Sequence, residues 1–246
     1  MRDPWVIAHR GASGHAPENT MAAFRRAVEL GAQFIETDLH LSRDAHLVAI
    51  HDSTLERTSN GHGRVRDHTL AELRQFDAGW WFDRDFSGER IPTLEEILAF
   101  ARGADVVLYL EIKYEEAWGM HHSLLGALRK DGDLARTTIL SFEPGTLEAL
   151  RRLDKTVMTG LLVETTQPDG VDLALGVGAR QLCPRGDLVA PELVEKAHQA
   201  DLQVATWTLN QPEQMRAAIA AGIDGIMTDY PDRLRAVIED SRVGSR

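Results

Sequence analysis

The chain has 246 residues and a formal net charge of −11 at pH 7, and this acidic balance argues against nucleic acid, or another phosphate-rich polymer, as its general partner. No apolar run approaches the ~18 residues of a transmembrane helix, and the first apolar run already starts at Trp5, which leaves no room for a signal peptide. The one cysteine, Cys183, excludes an internal disulfide framework, so we expect a cytoplasmic protein without stable membrane insertion; oligomeric state is left open.

The first elements of the chain predict a βαβ unit. A short apolar run at residues 5–8 stops at His9-Arg10-Gly11, and a loop leads to an amphipathic helix that starts at Asn19 or Thr20 and ends before Gly31. A second apolar run enters at Phe34. Because two strands joined through a helix are normally parallel, their carboxyl ends lie on the same side of the sheet.

Residues 33–52 carry two carboxylates that predict a metal site. Glu36 and Asp38 are two residues apart, so they share one face of the strand. Two like charges this close cost free energy unless a cation lies between them or one keeps a proton, and a divalent metal is the simplest answer. A turn near Asp44 and the apolar run 47–50 predict a hairpin, which would bring His51 roughly opposite Thr37 and beside both carboxylates.

The middle and the end of the chain are less regular. Residues 53–92 are too long and too aperiodic for a plain connection, and we interpret them as a small insertion or lid with a little structure of its own. Thr93 is expected to cap a helix that continues through Ala101. Residues 240–246 are interpreted as a polar, frayed tail.

The remaining apolar runs predict an α/β fold of the (β/α)8 TIM-barrel class. They lie at residues 105–113, 138–142, 157–163, 179–183, 203–208 and 225–228, mostly separated by amphipathic helix patterns at 124–129, 147–153, 194–200 and 212–221. With run 47–50 set aside as the return arm of the hairpin, eight parallel strands remain, and eight strands alternating with helices favour a barrel over an open sheet. We expect one domain over residues 1–246, with 53–92 as an insertion within it.

Polar residues at the strand ends indicate where the site forms, because the site of such a barrel is built at the carboxyl ends of its strands. Three carboxylates without a cysteine cluster suit a hard ion, Mg²⁺ or Ca²⁺, better than zinc. Arginine and lysine suit a phosphate, and two histidines suit a general base and a general acid near neutral pH. These residues are His9 and Arg10 at the end of the first strand, Glu36 and Asp38 at the end of the second, Glu111 and Lys113 at the end of the third, His51 after the hairpin, and Trp207 at the end of the seventh.

Each of these residues also has a purely structural interpretation. Glu36 and Asp38 could be salt-bridged to barrel lysines or arginines, and Glu111 and Lys113 could form only an ion pair. Trp207 could be a packing residue. Asn210 is expected to cap the helix that begins at Pro212, or to shape its loop, rather than to contact substrate.

Nine short motifs, in this order along the chain, resemble the glycerophosphodiester phosphodiesterase family from Trp5 to about Leu234. They are His9-Arg10-Gly11, Pro17-Glu18-Asn19-Thr20, Glu36-x-Asp38, Val48-Ala49-Ile50-His51-Asp52, Thr58-Ser59-Asn60-Gly61, Ile91-Pro92-Thr93-Leu94, Glu111-Ile112-Lys113, Trp207-Thr208-x-Asn210 and Gly225-x-x-Thr228-Asp229-Tyr230-Pro231. Single motifs of this kind are weak signals, but the ordered set is specific. The resemblance implies a TIM barrel with an inserted segment, and metal-dependent hydrolysis of small-molecule glycerophosphodiesters to sn-glycerol 3-phosphate and an alcohol.

The resemblance also implies a role for each site residue. Glu36, Asp38 and Glu111 would hold the divalent cation, Mg²⁺ or Ca²⁺; His9 and His51 would be the acid/base pair; Arg10 and Lys113 would bind phosphate; and Trp207 would form an apolar wall. The sequence departs from the family at His40 and His62, where a non-ionisable residue is more usual, so an additional titrating group near the site is expected. Two alternatives remain, a lysophospholipase D acting on a lipid through the same site, and a non-catalytic metal- or phosphate-binding barrel.

Overall fold

The computed structural model describes residues 3–113, 117–130, 132–166 and 169–243, with the backbone only for residues 117–119 and 243. Its sheet contains nine strands, each a short and mostly buried apolar run. They are β1 (Trp5–Ala8), β2 (Phe34–Leu41), β3 (Leu47–Ala49), β4 (Val107–Ile112), β5 (Thr137–Ser141), β6 (Met158–Val163), β7 (Gln181–Pro184), β8 (Gln203–Thr206) and β9 (Gly225–Thr228).

Eight of these strands are parallel and close into a barrel. β1 pairs with β2, where Ile7 lies opposite Phe34, and also with β9, where Trp5 lies opposite Gly225. The remaining parallel pairs follow one another around the ring, so the first and last strands of the chain are neighbours. The predicted (β/α)8 barrel is confirmed, and its closure places β1 and β9 side by side.

Nine α-helices lie in the described part of the chain. They are α1 (Met21–Glu29), α2 (Leu70–Leu73), α3 (Leu94–Ala104), α4 (Ala117–Lys130), α5 (Pro144–Leu153), α6 (Gly170–Gly176), α7 (Pro191–Gln199), α8 (Pro212–Ala220) and α9 (Pro231–Val243). Thr20 and Thr93 cap α1 and α3 through their side chains, as their positions predicted. Within the ranges given above, no helix combines the length and apolarity needed to cross a membrane.

Two helices have no counterpart in the sequence predictions. α6 is short, and its N-cap residue is Asp169, whose side chain accepts hydrogen bonds from the backbone N–H groups of Val171 and Asp172. α9 extends through residues 240–243, so the prediction of a frayed tail from residue 240 was wrong for these four residues; residues 244–246 lie outside the described ranges. Leu234, Val237 and Ile238 of α9 are buried, and this packing outweighs the polar composition of its end.

The hairpin of β2 and β3 has the register that the sequence predicted. Leu39 lies opposite Ala49 and Leu41 opposite Leu47, so the turn is centred at Asp44. One residue beyond the ladder, Ile50 N–H donates to Asp38 O at 3.1 Å. His51 follows directly, and the hairpin therefore delivers it to the acidic end of β2.

Apolar residues fill two layers around the strands and a third cluster in the insertion. The barrel interior contains Ile7, Tyr109, Leu140, Leu162, Cys183, Ala205 and Met227, and a larger layer packs the strands against the helices. Cys183 is a buried free thiol, as expected. Residues 53–92 contribute buried Leu55, Val65, Leu73, Ala78 and Ile91 to a separate cluster with Val48 and Ile50. That residues 1–246 act as one domain stays a prediction.

Candidate active site

A cavity of about 130 Å³ opens at the carboxyl ends of the barrel strands. Its polar lining is His9, Arg10, Glu36, His51, Glu111, Lys113 and Thr208, and its apolar lining is Leu140, Phe142, Leu162, Trp207 and Met227. Seven of the eight residues singled out from the sequence therefore line one cavity. The eighth, Asp38, lies directly behind it among the same acids.

Three buried carboxylates converge beside this cavity. Glu36, Asp38 and Glu111 each place one oxygen within 4.8 Å of the others, and the three residues are 2%, 1% and 8% exposed. Their approach follows from the sheet register, because Asp38 on β2 lies opposite Glu111 on β4. Acids from two neighbouring strands thus meet at one point, as predicted.

Two cations contact these carboxylates. Lys113 Nζ lies 2.7 Å from Asp38 Oδ1 and 2.5 Å from Glu111 Oε1. Arg10 Nε lies 3.3 Å from Asp38 Oδ2, and the backbone N–H of Arg10 donates to Glu36 Oε2 at 2.8 Å. Arg10 has a φ of 55°, a left-handed conformation that non-glycine residues rarely adopt and that is often found at functional sites.

The pKa shifts of the three acids indicate that an additional positive charge would be favourable between them. Burial, with the charges of Asp38 and Glu111, raises the pKa of Glu36 well above its ordinary value, and burial with the charge of Asp38 raises the pKa of Glu111 to about 7. Burial opposes ionisation of Asp38 as well, but Lys113 and Arg10 outweigh it and lower its pKa. Three buried carboxylates with two cations match the oxygen donors of a hard divalent ion, so the residues fit the predicted metal.

His9 is oriented by a carboxylate that the sequence analysis did not select. His9 Nδ1 lies 2.7 Å from Asp229 Oδ1, and Asp229 also accepts hydrogen bonds from Ser13 Oγ and Asn210 Nδ2 at 2.8 and 2.6 Å. Burial would raise the pKa of Asp229, but these hydrogen bonds lower it to about 2. An ionised carboxylate only accepts, so Nδ1 of His9 carries a proton in either charge state of the ring, and Nε2 is the atom left to exchange a proton with the substrate.

His51 is oriented in the same manner by its neighbour in the sequence. His51 Nδ1 lies 2.6 Å from Asp52 Oδ1, and a hydrogen bond from Arg57 is the main cause that lowers the pKa of Asp52. Burial lowers the pKa of His51 itself, helped by Lys113 and Arg10 and opposed by the charge of Asp38. His51 therefore favours its neutral form.

Of the two histidines that depart from the family pattern, only His40 lies near the site. It is 1% exposed, and its Nε2 lies 3.1 Å from the backbone oxygen of His51. His62 is exposed and is not part of the cavity lining. The structure thus gives His40 a contact with the backbone of the hairpin histidine.

Two asparagines hold the acids in place. Asn19 Nδ2 donates to Asp38 Oδ2 at 2.9 Å, and Asn19 Oδ1 accepts from Thr37 Oγ1 at 2.6 Å. Asn210 does not cap α8, whose N-cap residue is Gln211; its amide instead binds Asp229, through Nδ2 and through Oδ1, which accepts from Asp229 N–H at 3.0 Å.

Trp207 follows β8 and lines the apolar part of the cavity. Its Nε1 donates to Cys183 O at 2.8 Å, which fixes the indole ring against the barrel. Phe142, which the sequence analysis did not select, makes an edge contact with it at a centroid distance of 5.3 Å. The signal that would have found Phe142 and Asp229 is the strand-end rule already used, since each comes directly after a barrel strand.

Comparison with known proteins decides the family. Residues 9–233 match the model of the glycerophosphoryl diester phosphodiesterase family. The chain belongs to this family. The resemblance seen in the sequence is confirmed, and with it the enzyme class, phosphoric diester hydrolase.

Members of the glycerophosphoryl diester phosphodiesterase family resemble the chain over nearly its whole length. A glycerophosphodiester phosphodiesterase of Caldanaerobacter subterraneus subsp. tengcongensis is 41% identical over 231 residues, which cover 93% of this chain and 95% of that protein. Among solved structures, an Oleispira antarctica phosphodiesterase in complex with the product sn-glycerol-3-phosphate has a TM-score of 0.91 at 29% identity, covering 96% of this chain and 97% of that one. A putative glycerophosphoryl diester phosphodiesterase from Silicibacter pomeroyi has a TM-score of 0.89 at 29% identity, covering 97% and 94%.

Proposed function

We propose that this chain hydrolyses small-molecule glycerophosphodiesters to sn-glycerol 3-phosphate and an alcohol, with a divalent cation bound by Glu36, Asp38 and Glu111. The observation that carries the proposal is the convergence of two carboxylate-oriented histidines, His9 and His51, on the cavity that borders the three acids. The similar Oleispira antarctica enzyme holds sn-glycerol-3-phosphate, which supports the product.

The charged residues would bind and orient the phosphodiester. When bound, the cation supplies positive charge that stabilises the phosphate oxygens as negative charge builds up on them. Arg10 and Lys113 would contribute further donors from the same side of the cavity, and Lys113 would exchange part of its contact with Asp38 and Glu111 for the substrate. Trp207 and Phe142 would exclude water along the apolar wall.

The partners of the two histidines support a division of labour between them. Besides His9, Asp229 binds the neutral side chains of Ser13 and Asn210, so its full negative charge faces the His9 imidazole. Asp52 is also paired with the cation Arg57, so it stabilises a positive charge on His51 less strongly, and burial lowers the pKa of His51. We assign His51 as the general base and His9 as the general acid.

Each step at phosphorus then needs one new bond and one broken bond. His51 takes the proton of the attacking oxygen, which forms the new P–O bond, and His9 gives a proton from Nε2 to the alcohol oxygen as the old P–O bond breaks. If the attacking oxygen belongs to water, this step gives sn-glycerol 3-phosphate directly. If it belongs to the neighbouring glycerol hydroxyl, the step gives a cyclic phosphate, and a second step must add water and break one ring P–O bond to give sn-glycerol 3-phosphate. Product analysis in ¹⁸O-labelled water, stopped early enough to trap a cyclic diester, distinguishes the two routes.

Mg²⁺ and Ca²⁺ are the two cations we propose, because the donor set consists of carboxylate oxygens. The headgroup of the substrate, and the choice between a glycerophosphodiester and a lysophospholipid, are tested with glycerophosphocholine and lysophosphatidylcholine in parallel, after chelation and with each cation added back. The cytoplasmic location inferred from the sequence stays a prediction.

Removal of either histidine tests the proposed site. His9→Ala and His51→Ala should each lower kcat for glycerophosphocholine by about 10²–10⁴-fold. His46→Ala is the matched control, because the His46 side chain is 47% exposed at the other end of the β2–β3 hairpin. Near-normal turnover in either site variant would remove that histidine from the mechanism.

A further inference from the structure

Arg57 binds the carboxylate that orients His51. Arg57 Nε and Nη2 donate to Asp52 Oδ2 and Oδ1 at 2.7 and 2.9 Å. Asp52 Oδ1 is also the partner of His51 Nδ1, at 2.6 Å. One residue, Asp52, therefore separates Arg57 from the imidazole assigned as the general base.

The other edge of the same guanidinium binds a second carboxylate. Arg57 Nη1 and Nη2 donate to Glu18 Oε2 and Oε1 at 2.9 and 2.8 Å. Glu18 Oε1 also accepts from Arg10 Nη1 at 2.8 Å. Arg57 is therefore one residue away from the cation assigned to the substrate phosphate as well.

We propose that Arg57 is a positioning residue that fixes the spacing between His51 and Arg10, and so aligns the general base with the bound phosphate. This inference rests on the roles proposed above for those two residues. A planar guanidinium with two bidentate contacts sets both the distance and the angle between its partners. A lysine ammonium group at the same place would keep the positive charge but could not make the two bidentate contacts.

The positive charge of Arg57 also keeps Glu18 and Asp52 from repelling each other. Glu18 and Asp52 are two carboxylates that share one cation, Arg57. Burial would raise the pKa of Glu18, but the hydrogen bonds and charges of Arg57 and Arg10 lower it. Without Arg57 the two carboxylates would repel each other, and Asp52, whose side chain is 29% exposed, would be free to turn away from His51.

The place of Arg57 in the fold suits this task. It belongs to residues 53–92, the inserted segment, and lies between two buried residues, Leu55 at 0% and Thr58 at 5% exposure. Leu55 is part of the separate apolar cluster of that segment, which also includes Val48 and Ile50 of the hairpin. The insertion thus holds Arg57 on the same packed unit that delivers His51.

Steady-state kinetics of single and double variants test the proposal. Arg57→Gln should lower kcat/KM for glycerophosphocholine by about 10- to 100-fold, the effect of losing hydrogen bonds between charged groups. Asp52→Asn should act mainly on kcat and Glu18→Gln mainly on KM, whereas Arg57→Gln acts on both. Each double variant with Arg57→Gln should be little worse than the poorer single variant, because the two residues act through one chain of contacts.

Arg74→Gln is the matched control. Arg74 also belongs to the insertion and also makes a bidentate ion pair, with Glu96, but its contacts lead to α3. It should lose thermal stability with unchanged kcat and KM. Arg57→Lys should be no more active than Arg57→Gln, since a lysine cannot make both bidentate contacts.

Two results on the Arg57 variants themselves would overturn the inference. One is an Arg57→Gln variant that loses only thermal stability, as Arg74→Gln does; the other is full activity in Arg57→Lys, which also decides the question if Arg57→Gln does not fold. Loss of activity in His51→Ala with unaltered kinetics in the Arg57 variants would refute the positioning role alone. Normal turnover in His51→Ala would refute the proposed site and, with it, this inference.

Discussion

His9 Nδ1 lies 2.7 Å from Asp229 Oδ1, across a separation of 220 residues in the sequence. The contact exists because β1 and β9 are neighbours in the closed barrel, with Ala8 opposite Thr228. One residue beyond each of these partners, the imidazole and the carboxylate meet at the edge of the cavity.

Asp229→Asn should lower kcat by on the order of 10² or more, because the amide no longer fixes the proton on Nδ1 of His9. It should also lower the free energy of unfolding at pH 7, by on the order of 1–3 kcal/mol. The depressed pKa of Asp229 stabilises the fold above the ordinary carboxyl pKa of 3.8, and this stabilisation is lost as the pH falls towards about 2. Urea unfolding and steady-state kinetics measure the two effects.

Asp232→Asn is the control for that experiment, since Asp232 also accepts from a histidine, His15 Nε2 at 2.9 Å, but is 41% exposed in its side chain. Its kcat should be unchanged. Equal kinetics in the two aspartate variants would contradict an orienting role for Asp229.

Cation affinity should depend on pH, with the sign set by the acids. The pKa of Glu111 is raised to about 7 and that of Glu36 is raised as well, so both must lose protons when a cation binds. The dissociation constant for Mg²⁺ or Ca²⁺ should therefore rise as the pH falls from about 8 to 6, by about tenfold per unit for each proton displaced. Calorimetry in two buffers of different ionisation enthalpy counts the protons released.

The same shifts govern the stability of the metal-free protein. A carboxyl group whose pKa is raised in the folded state destabilises that state as the pH rises from its ordinary value, 4.5, through about 7 for Glu111. Thermal unfolding should show the loss over this range, and the added cation should reverse it. Glu111→Gln should reduce both the loss and the number of protons released; identical proton release in the variant would show that Glu111 is not a ligand.

His40→Phe should lower kcat by up to about tenfold, the effect of losing one hydrogen bond. The buried His40 ring contacts the backbone oxygen of His51, so its loss should loosen the hairpin end at which His51 stands. KM for glycerophosphocholine should change little. A variant with unchanged kcat and a lowered melting temperature would show that His40 only packs.

Gly11→Ala should destabilise the protein by on the order of 1–3 kcal/mol. Gly11 has a φ of 81°, and a Cβ added there would lie 2.7 Å from the backbone carbonyl carbon of Ala23. Gly126→Ala is the control, because Gly126 lies within α4 with no neighbouring heavy atom within 4 Å of an added Cβ; it should stabilise by about 1 kcal/mol. Urea unfolding of both variants gives the comparison.

The sequence by itself determined the barrel and most of the charged residues of the cavity. The number of strands follows from the short apolar runs that alternate with helix patterns. The polar residues at the ends of these runs are His9, Glu36, Asp38, Glu111 and Lys113. The centre of the hairpin at Asp44 even gave the register of His51, because a tight antiparallel turn fixes which residues face each other. These are local signals, carried by neighbours in the chain.

Only the tertiary structure decided which side chains orient the proposed catalytic groups. Asp229 reaches His9 through closure of the barrel, and Arg57, which binds Asp52, also binds Glu18 across 39 residues of the sequence. Likewise, α9 owes its full length to the packing of Leu234 and Val237 rather than to its polar composition. Hydrogen bonds form over about 3 Å, a distance that depends on how distant segments pack, and no periodicity along the chain records it.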